Sequence, residues 1–496
     1  MRRALFYTLL ATELVTTTAV SVQAAAQRPT LSPAVRQYVA VDTPTVVIRN
    51  VRVIDGTGAP PRDNQTIVIS GGKITRIQIA ENRELTAPQA RAENTLENTL
   101  TIDGTGKTII PGLVLVHEHM FYPPTSAVST PTYTELAYTF PRLYLGAGIT
   151  TARTGGSMEP YADLNLRKWI DAGTIPGPKL DVTGPYLSGP GLPLAQFHEL
   201  ADSADARRTV RYWADLGATS FKAYMHITRD ELRAAADEAH KRGLKITGHL
   251  CSVTFREAAD IGIDNLEHGI AVATDFFLTR KQPDICPPSN SPNPVAQIDP
   301  ATDTTLASVI RTLVDRRVAV TSTLAVFEIA VPNRPPTPQR VLDAMSNDAR
   351  MRYLQTRAAR AGDVASPWTR IFANEMAFEK KFADAGGLLL VGTDPTSYGG
   401  VIAGFASQRA IELLVEAGFT PLEAIKIATL NGATFLGRAN RVGTIAVGKD
   451  ADLLLIAGDP STRIADIEKV ELVFKDGVAY DSAKLLASAK GLVGSQ

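Results

Sequence analysis

Two histidines, His117 and His119, stand one residue apart at the end of a β-branched run, LVLVHEH. Alternation along a strand sends residues i and i+2 to the same face, so both imidazoles project together. His249, His268 and Asp394 close other short apolar runs, TGHL, LEHG and VGTD, and Lys222 lies inside FKAYM. A lone histidine ending a buried strand is most often a hydrogen-bonded core residue, and a lone GTD is most often a turn. The whole set is harder to satisfy, because each buried polar group without a partner costs roughly 1–3 kcal/mol. A metal ion removes that cost for all of them together, and four of the chain's seven histidines fall in this set. Lys222 adds a second possibility. Burial makes a lysine amine costly to charge, and a neutral amine reacts with carbon dioxide to give a carbamate, whose two oxygens can bridge two cations. Of the other histidines, His240 reads as a solvated helix residue, while His198 and His226 are loop or rim candidates.

Positioning such a set requires a parallel strand array. Eight apolar runs alternate with helical patterns at 113–119, 148–154, 179–184, 219–226, 244–250, 264–269, 318–324 and 388–394. The segment 228–243 shows the helical signature plainly, with Thr228 as a cap at its start and Gly243 at its end. This is the βα repeat of an α/β protein, and the reading it favours is a (β/α)8 TIM barrel with its polar residues at the C-terminal strand ends. A doubly wound open sheet is the alternative. Short β-branched runs at 46–56, 66–80 and 99–112, and again at 443–458 and 469–480, predict a small β-sandwich domain assembled from both termini. The expected division is therefore 27–110 plus 440–496 for the sandwich and 111–439 for the barrel. A long insertion or lid is expected around 273–387, where Pro, Asp, Ser and Thr crowd a single candidate strand.

Composition narrows the field by exclusion. The 496 residues are 44% hydrophobic and carry 51 basic and 51 acidic side chains, so no basic excess points to nucleic acid. A small-molecule substrate is the expected partner, and homo-oligomerisation stays open. Cys251 and Cys286 are too few for a disulfide framework or thiolate cluster, and we expect them to remain unpaired. Arg2 and Arg3, the apolar stretch from Ala4 to about Val22, and Val22-Gln23-Ala24 read as a signal peptide over 1–26. That predicts a periplasmic or secreted protein with no membrane contact after cleavage.

Taken in order, His117-x-His119, Lys222, His249, His268 and Asp394 resemble the amidohydrolase superfamily in its binuclear form. PGLVLVHEH, GITTART, LRKWIDAGTIPGPKL, GPYLSGPG, NGATFLG and GTIAVGKDADLLL are most similar to its imidazolonepropionase-like, Xaa-Pro dipeptidase-related group. The resemblance spans residues 45 to 480. It implies two divalent metal ions, most often Zn2+, with His117, His119 and Asp394 on the more buried one and His249 and His268 on the more exposed one. Carboxylated Lys222 and a hydroxide would bridge them, and Asp394 would act as general base and then acid.

The implied reaction is hydrolysis of an amide C–N bond in a small N-acyl amino acid or dipeptide-like molecule. A lactonase or ester hydrolase would use the same metal pair. A mononuclear cyclic-amidine hydrolase or deaminase of the superfamily is disfavoured by Lys222, and a non-catalytic binding protein by the filled ligand set. Tyr224, two residues from Lys222 and on its face, is a candidate catalytic donor to the substrate oxygen or a packing residue. Tyr186, Ser188, His226 and Tyr398 are candidate substrate contacts. Glu118 is expected to turn away from the metals and to meet a buried partner, Arg153 being the candidate. Thr154 stands where the family usually has Asp.

Overall fold

A computed structural model describes residues 28–79, 98–123, 132–277, 282–288 and 293–495. The expected signal peptide, 1–26, lies outside the described residues. Strands from both ends of the chain share one nine-stranded sheet. Its N-terminal members are β1 (Val39–Val41), β2 (Thr45–Val53), β3 (Arg62–Ser70), β4 (Lys73–Ile79), β5 (Thr99–Asp103) and β6 (Lys107–Pro111). After β7 (Leu113–Glu118), β8 (Phe121–Tyr122), β9 (Thr134–Glu135) and the strands below, the chain returns through β18 (Leu453–Ala457), β19 (Val470–Lys475) and β20 (Val478–Asp481). The sheet order is β1-β20-β19-β18-β6-β2-β3-β4, with β5 beside β2. Alternation in β2 buries Val46 and Ile48, then Val51 and Val53. The odd spacing from 48 to 51 would flip the second pair outward. A register shift opposite β3 absorbs it, with Asn50 at φ 57.

All eight expected strands of the central array are present and parallel. They are β7, β10 (Ile149–Thr154), the broken pair β11 (Lys179–Asp181) and β12 (Thr183–Leu187), β13 (Ser220–Ala223), β14 (Lys245–Gly248), β15 (Asn265–Glu267), β16 (Ala319–Ser322) and β17 (Leu389–Val391). They pair as β11-β10-β7 and as β12-β13-β14-β15-β16-β17. Spatial order thus follows chain order in both runs, where a doubly wound sheet would reverse it. At one seam the Thr183 amide donates to Thr154 Oγ1 at 2.9 Å, and Thr183 Oγ1 lies 2.8 Å from Ser220 Oγ. At the other, the amides of Thr393 and Asp394 both donate to the His117 carbonyl at 3.1 Å.

The 273–387 segment holds more regular structure than its composition suggests. It contains the crossover helix Thr304–Asp315, capped by Asp303, then β16, then four helices from Leu324 to Asp384. Cys251 and Cys286, expected to stay unpaired, form a disulfide, with Cα atoms 5.1 Å apart. The fold brings the turn after β14 against residues 282–288, and that separation suits a bridge. Among the described residues no helix is long and apolar enough to cross a membrane.

Candidate metal centre and its surroundings

His117 and His119 are fully buried at the end of β7, His268 follows β15, and Asp394 follows β17. Their ring nitrogens divide into two sets. Each Nδ1 is engaged outward: His117 with Glu267 Oε2 at 2.7 Å, His119 with the Gly156 carbonyl at 3.1 Å, His268 with Thr323 Oγ1 at 2.8 Å. Each Nε2 faces Asp394, at 3.8, 3.1 and 3.9 Å respectively. Such outer partners fix ring orientation and tautomer and leave Nε2 free to ligate. His268 Nε2 is buried without a hydrogen-bond partner. His117, His268 and Asp394 bring ligand atoms within 4.8 Å of one another. An orphaned imidazole nitrogen beside two further imidazoles and a carboxylate fits a zinc-like divalent cation.

Lys222 and His249 join this group. Lys222 Nζ lies 3.2 Å from His117 Nε2, and the His249 ring is 4.5 Å from that of His268. Burial lowers the Lys222 amine to about 8 and the His249 imidazole to about 3. Burial would raise Asp394, but the His119 hydrogen bond and the His117 and His268 rings hold it well below the usual carboxylate range. His268 at φ 71 and Asp394 at φ 50 both occupy the left-handed region, which is uncommon for residues other than glycine and recurs at functional sites.

Three features went unread in the sequence. Glu267, fully buried, accepts from His117, from Arg153 Nη2 at 2.5 Å and from Thr247 Oγ1. The nearest signal was an acid beside His268 in LEHG. Gly155 and Gly156 must lack side chains, since a Cβ at Gly155 would sit 2.3 Å from His117 Cδ2 and one at Gly156 2.7 Å from Tyr186 Cζ. The rings of Phe121, Phe197 and Phe327 also border the site.

Glu118 does turn from the ligands, but its partner is not Arg153. Its carboxyl accepts from Thr393 Oγ1, and burial pushes it up to about 8. Arg153 instead crosses to β15, reaching Glu267 and Asn265, and donates to the Val116 carbonyl at 2.6 Å. Thr154, at the position where the family usually has Asp, joins β10 to β12 through its hydroxyl. Of the candidate substrate contacts, the Tyr186 and Tyr224 rings lie 5.3 and 5.8 Å from Lys222 Nζ. Ser188 is buried and its Oγ accepts from the His226 amide at 3.3 Å, while His226 Nδ1 lies 3.0 Å from the Pro190 carbonyl. Tyr398 stacks on Tyr353, beneath Arg360, and its hydroxyl donates to the Ile329 carbonyl, so the structure groups it with the helical segment.

Residues 108–479 match the profile of the amidohydrolase family. Over 131 residues the chain is 34% identical to imidazolonepropionase of Parabacteroides distasonis, covering 25% of this chain and 31% of that protein. Over 133 residues it is 30% identical to adenine deaminase of Roseobacter denitrificans, covering 26% and 21%. These matches therefore span under a third of each relative's length. A solved Xaa-Pro dipeptidase with bound methionine superposes with a TM-score of 0.64 at 20% identity, covering 88% of this chain and 100% of that one. Molinate hydrolase superposes with a TM-score of 0.61 at 17% identity, covering 92% and 98%. At those identities the likeness is one of fold. With three quarters of its length matched by a single family profile, the chain belongs to the amidohydrolase family.

Proposed function

We propose that this protein is a metal-dependent hydrolase that cleaves an amide C–N bond in a small N-acyl amino acid or dipeptide-like substrate. The observation that carries the reading is the convergence of three imidazole Nε2 atoms on Asp394, one of them orphaned, with Lys222 alongside. His117, His119 and Asp394 would hold one divalent cation, His249 and His268 a second, and carboxylated Lys222 would join them. Bound there, the cations (zinc by the donor chemistry) would polarise a carbonyl and acidify a water. The lowered Lys222 pKa supports carboxylation, because a neutral amine must attack carbon dioxide and then shed its proton. Asp394, held well below the usual carboxylate range and 14% exposed, would accept a proton from the attacking water and return it to the leaving nitrogen. Tyr224 would donate to the carbonyl oxygen.

The architecture that serves this chemistry is a closed (β/α)8 barrel, joined at the Thr183 and His117 seams, with a β-sandwich beside it. Support for the sandwich comes from one apolar cluster that unites Ile67, Ile69 and Ile74 of β3 and β4 with Phe474 and Ala479 of β19 and β20. The helices of 324–384 would roof the site, with the Phe327 ring 6.0 Å from that of His268. A periplasmic or secreted location is supported by the Cys251–Cys286 disulfide. The imidazolonepropionase and adenine deaminase stretches favour a second reading, ring-amidine chemistry, against which Lys222 stands as a ligand for two ions. Elemental analysis of the purified protein tests the proposal: about two zinc equivalents are expected, with loss of one or both in Lys222→Ala. A protein without metal that takes none up on soaking would sink it. A screen of N-acyl amino acids, dipeptides, lactones and cyclic amidines separates the reaction classes.

A further inference from the structure

One wall of the candidate site is built almost wholly from aromatic rings. Phe121 stacks on His119 at 4.3 Å, and Tyr133 meets Phe121 edge-on at 5.1 Å. Phe197 stacks on Tyr186 at 4.8 Å, and both present their edges to Tyr224, which itself stands 5.1 Å from His249. Apart from Lys222, no basic side chain among the described residues lies over these rings. This group forms an apolar cluster of its own, separate from the main core. Tyr133, Phe197 and Tyr224 are only half-buried, although core aromatics of this chain such as Phe140 and Phe221 are fully enclosed.

The hydroxyls add a second observation. Buried tyrosine hydroxyls ordinarily find a partner, and Tyr144 and Tyr122 do so here. Those of Tyr133, Tyr186 and Tyr224 make no hydrogen bond with any described residue, and none of the three is a fully buried oxygen. Rings held in stacked and edge-on pairs, half open, with three hydroxyls at their margins that no described residue engages, are arranged for a planar group that carries an oxygen.

We infer that Phe121, Tyr133, Tyr186, Phe197 and Tyr224 form a subsite for an aromatic ring of the substrate, held beside the scissile amide; this rests on the metal-dependent amide hydrolysis proposed above. The ring packs against the half-buried rings of Tyr133, Phe197 and Tyr224, and the Tyr133 and Tyr186 hydroxyls donate to an oxygen on the same group. The side chains of the wall itself carry no charge, and a methyl group covers little of it.

The test uses the purified protein with its metals and two probes that are not turned over, phenylphosphonate and methylphosphonate, titrated by calorimetry. Enclosing a phenyl group predicts phenylphosphonate binding roughly 30-fold tighter, about 2 kcal/mol. In Phe197→Ala that ratio should fall several-fold, and Phe197→Leu should fall between the two. Equal affinities in the unaltered protein, or a ratio that Phe197→Ala leaves unchanged, would overturn the inference. Hydrolysis of N-benzoylglycine against N-acetylglycine is measured in parallel. Failure to cleave either counts against the amide reading alone, because the phosphonate ratio is read without turnover.

Discussion

Glu267→Gln is the substitution that separates a structural carboxylate from one that sets up the metal centre. Three donors converge on Glu267, which is 0% exposed: His117 Nδ1 at Oε2, and Arg153 Nη2 and Thr247 Oγ1 at Oε1. Glutamine keeps the shape but offers one acceptor oxygen. If its NH2 replaces Oε1, it confronts Arg153 and Thr247. If it replaces Oε2, it confronts His117, whose ring must then carry its proton on Nε2, where a metal would bind. Either way the Arg153 guanidinium loses its countercharge in the interior, a loss of about 3–5 kcal/mol for a broken buried pair. The metal should bind some 10–100-fold more weakly, the usual effect of removing such a partner. Competition against a chromogenic chelator reads the second effect, and denaturant unfolding of the metal-free protein reads the first. Glu267→Asp, which restores the charge, should recover part of both. A Gln variant that matches the unaltered protein within twofold in metal affinity, with the same unfolding midpoint, would refute the argument.

Three further outcomes follow from other parts of the molecule. Breaking the disulfide with Cys286→Ser frees a chain loop of 35 residues, which should cost about 4 kcal/mol on the chain-entropy model; intact mass before and after reduction under denaturing conditions shows whether the bridge exists, and an unshifted unfolding midpoint in the variant would count against the estimate. Asp450 is held below the usual carboxylate range because hydrogen bonding from Lys73 and the charges of Lys179 and Arg441 outweigh its burial. Its contribution is therefore complete above its unfolded pKa near 4 and is lost as pH falls through the lower folded value; Asp450→Asn should flatten the acid limb of stability against pH, and parallel limbs would refute it. A Cβ at Gly269, where φ is +56, would lie 1.6 Å from Glu375 Oε1. Gly269→Ala should shift the turn after His268 and lower metal content, whereas Gly106→Ala, at φ +72 with nothing within 4 Å, should cost only the roughly 1–2 kcal/mol of left-handed backbone.

The central strands were readable because each is a short apolar run, and the ligand candidates other than Lys222 stand at or just beyond the end of one. What alternation could not supply is which strand lies opposite. It turned Glu118 away from the ligands correctly, yet its partner, Thr393, sits 275 positions away across a seam. The third strand read as one run, KLDVTG, because its apolar pattern is continuous. It breaks at Val182, so β11 pairs with β10 and β12 with β13, and the Thr183 side chain carries the connection instead. The cysteine pairing was missed for a related reason. Two thiols 35 residues apart say nothing of distance until β14 and the 282–288 segment are placed.

The candidate ligand set and its outer partners together imply that much of the chain would have to fold before a metal could bind at this site. His117 is aimed by Glu267 at the end of β15, His119 by the Gly156 carbonyl after β10, and His268 by Thr323 after β16. None of these three imidazoles is oriented by its own strand. Orientation is exchanged between strands that are far apart in sequence, so an isolated βα unit would carry a histidine in the right position with the wrong tautomer. The two seams then have a chemical as well as a mechanical effect. The His117 carbonyl that receives the Thr393 and Asp394 amides fixes the backbone of Asp394 against the backbone of the residue it faces. Slippage of that seam by one residue would turn Asp394 away from all three imidazoles at once. Metal affinity at the proposed centre would thus be coupled to the pairing of the first and last central strands. Substitutions that loosen Thr393 should weaken metal binding although Thr393 itself offers no ligand.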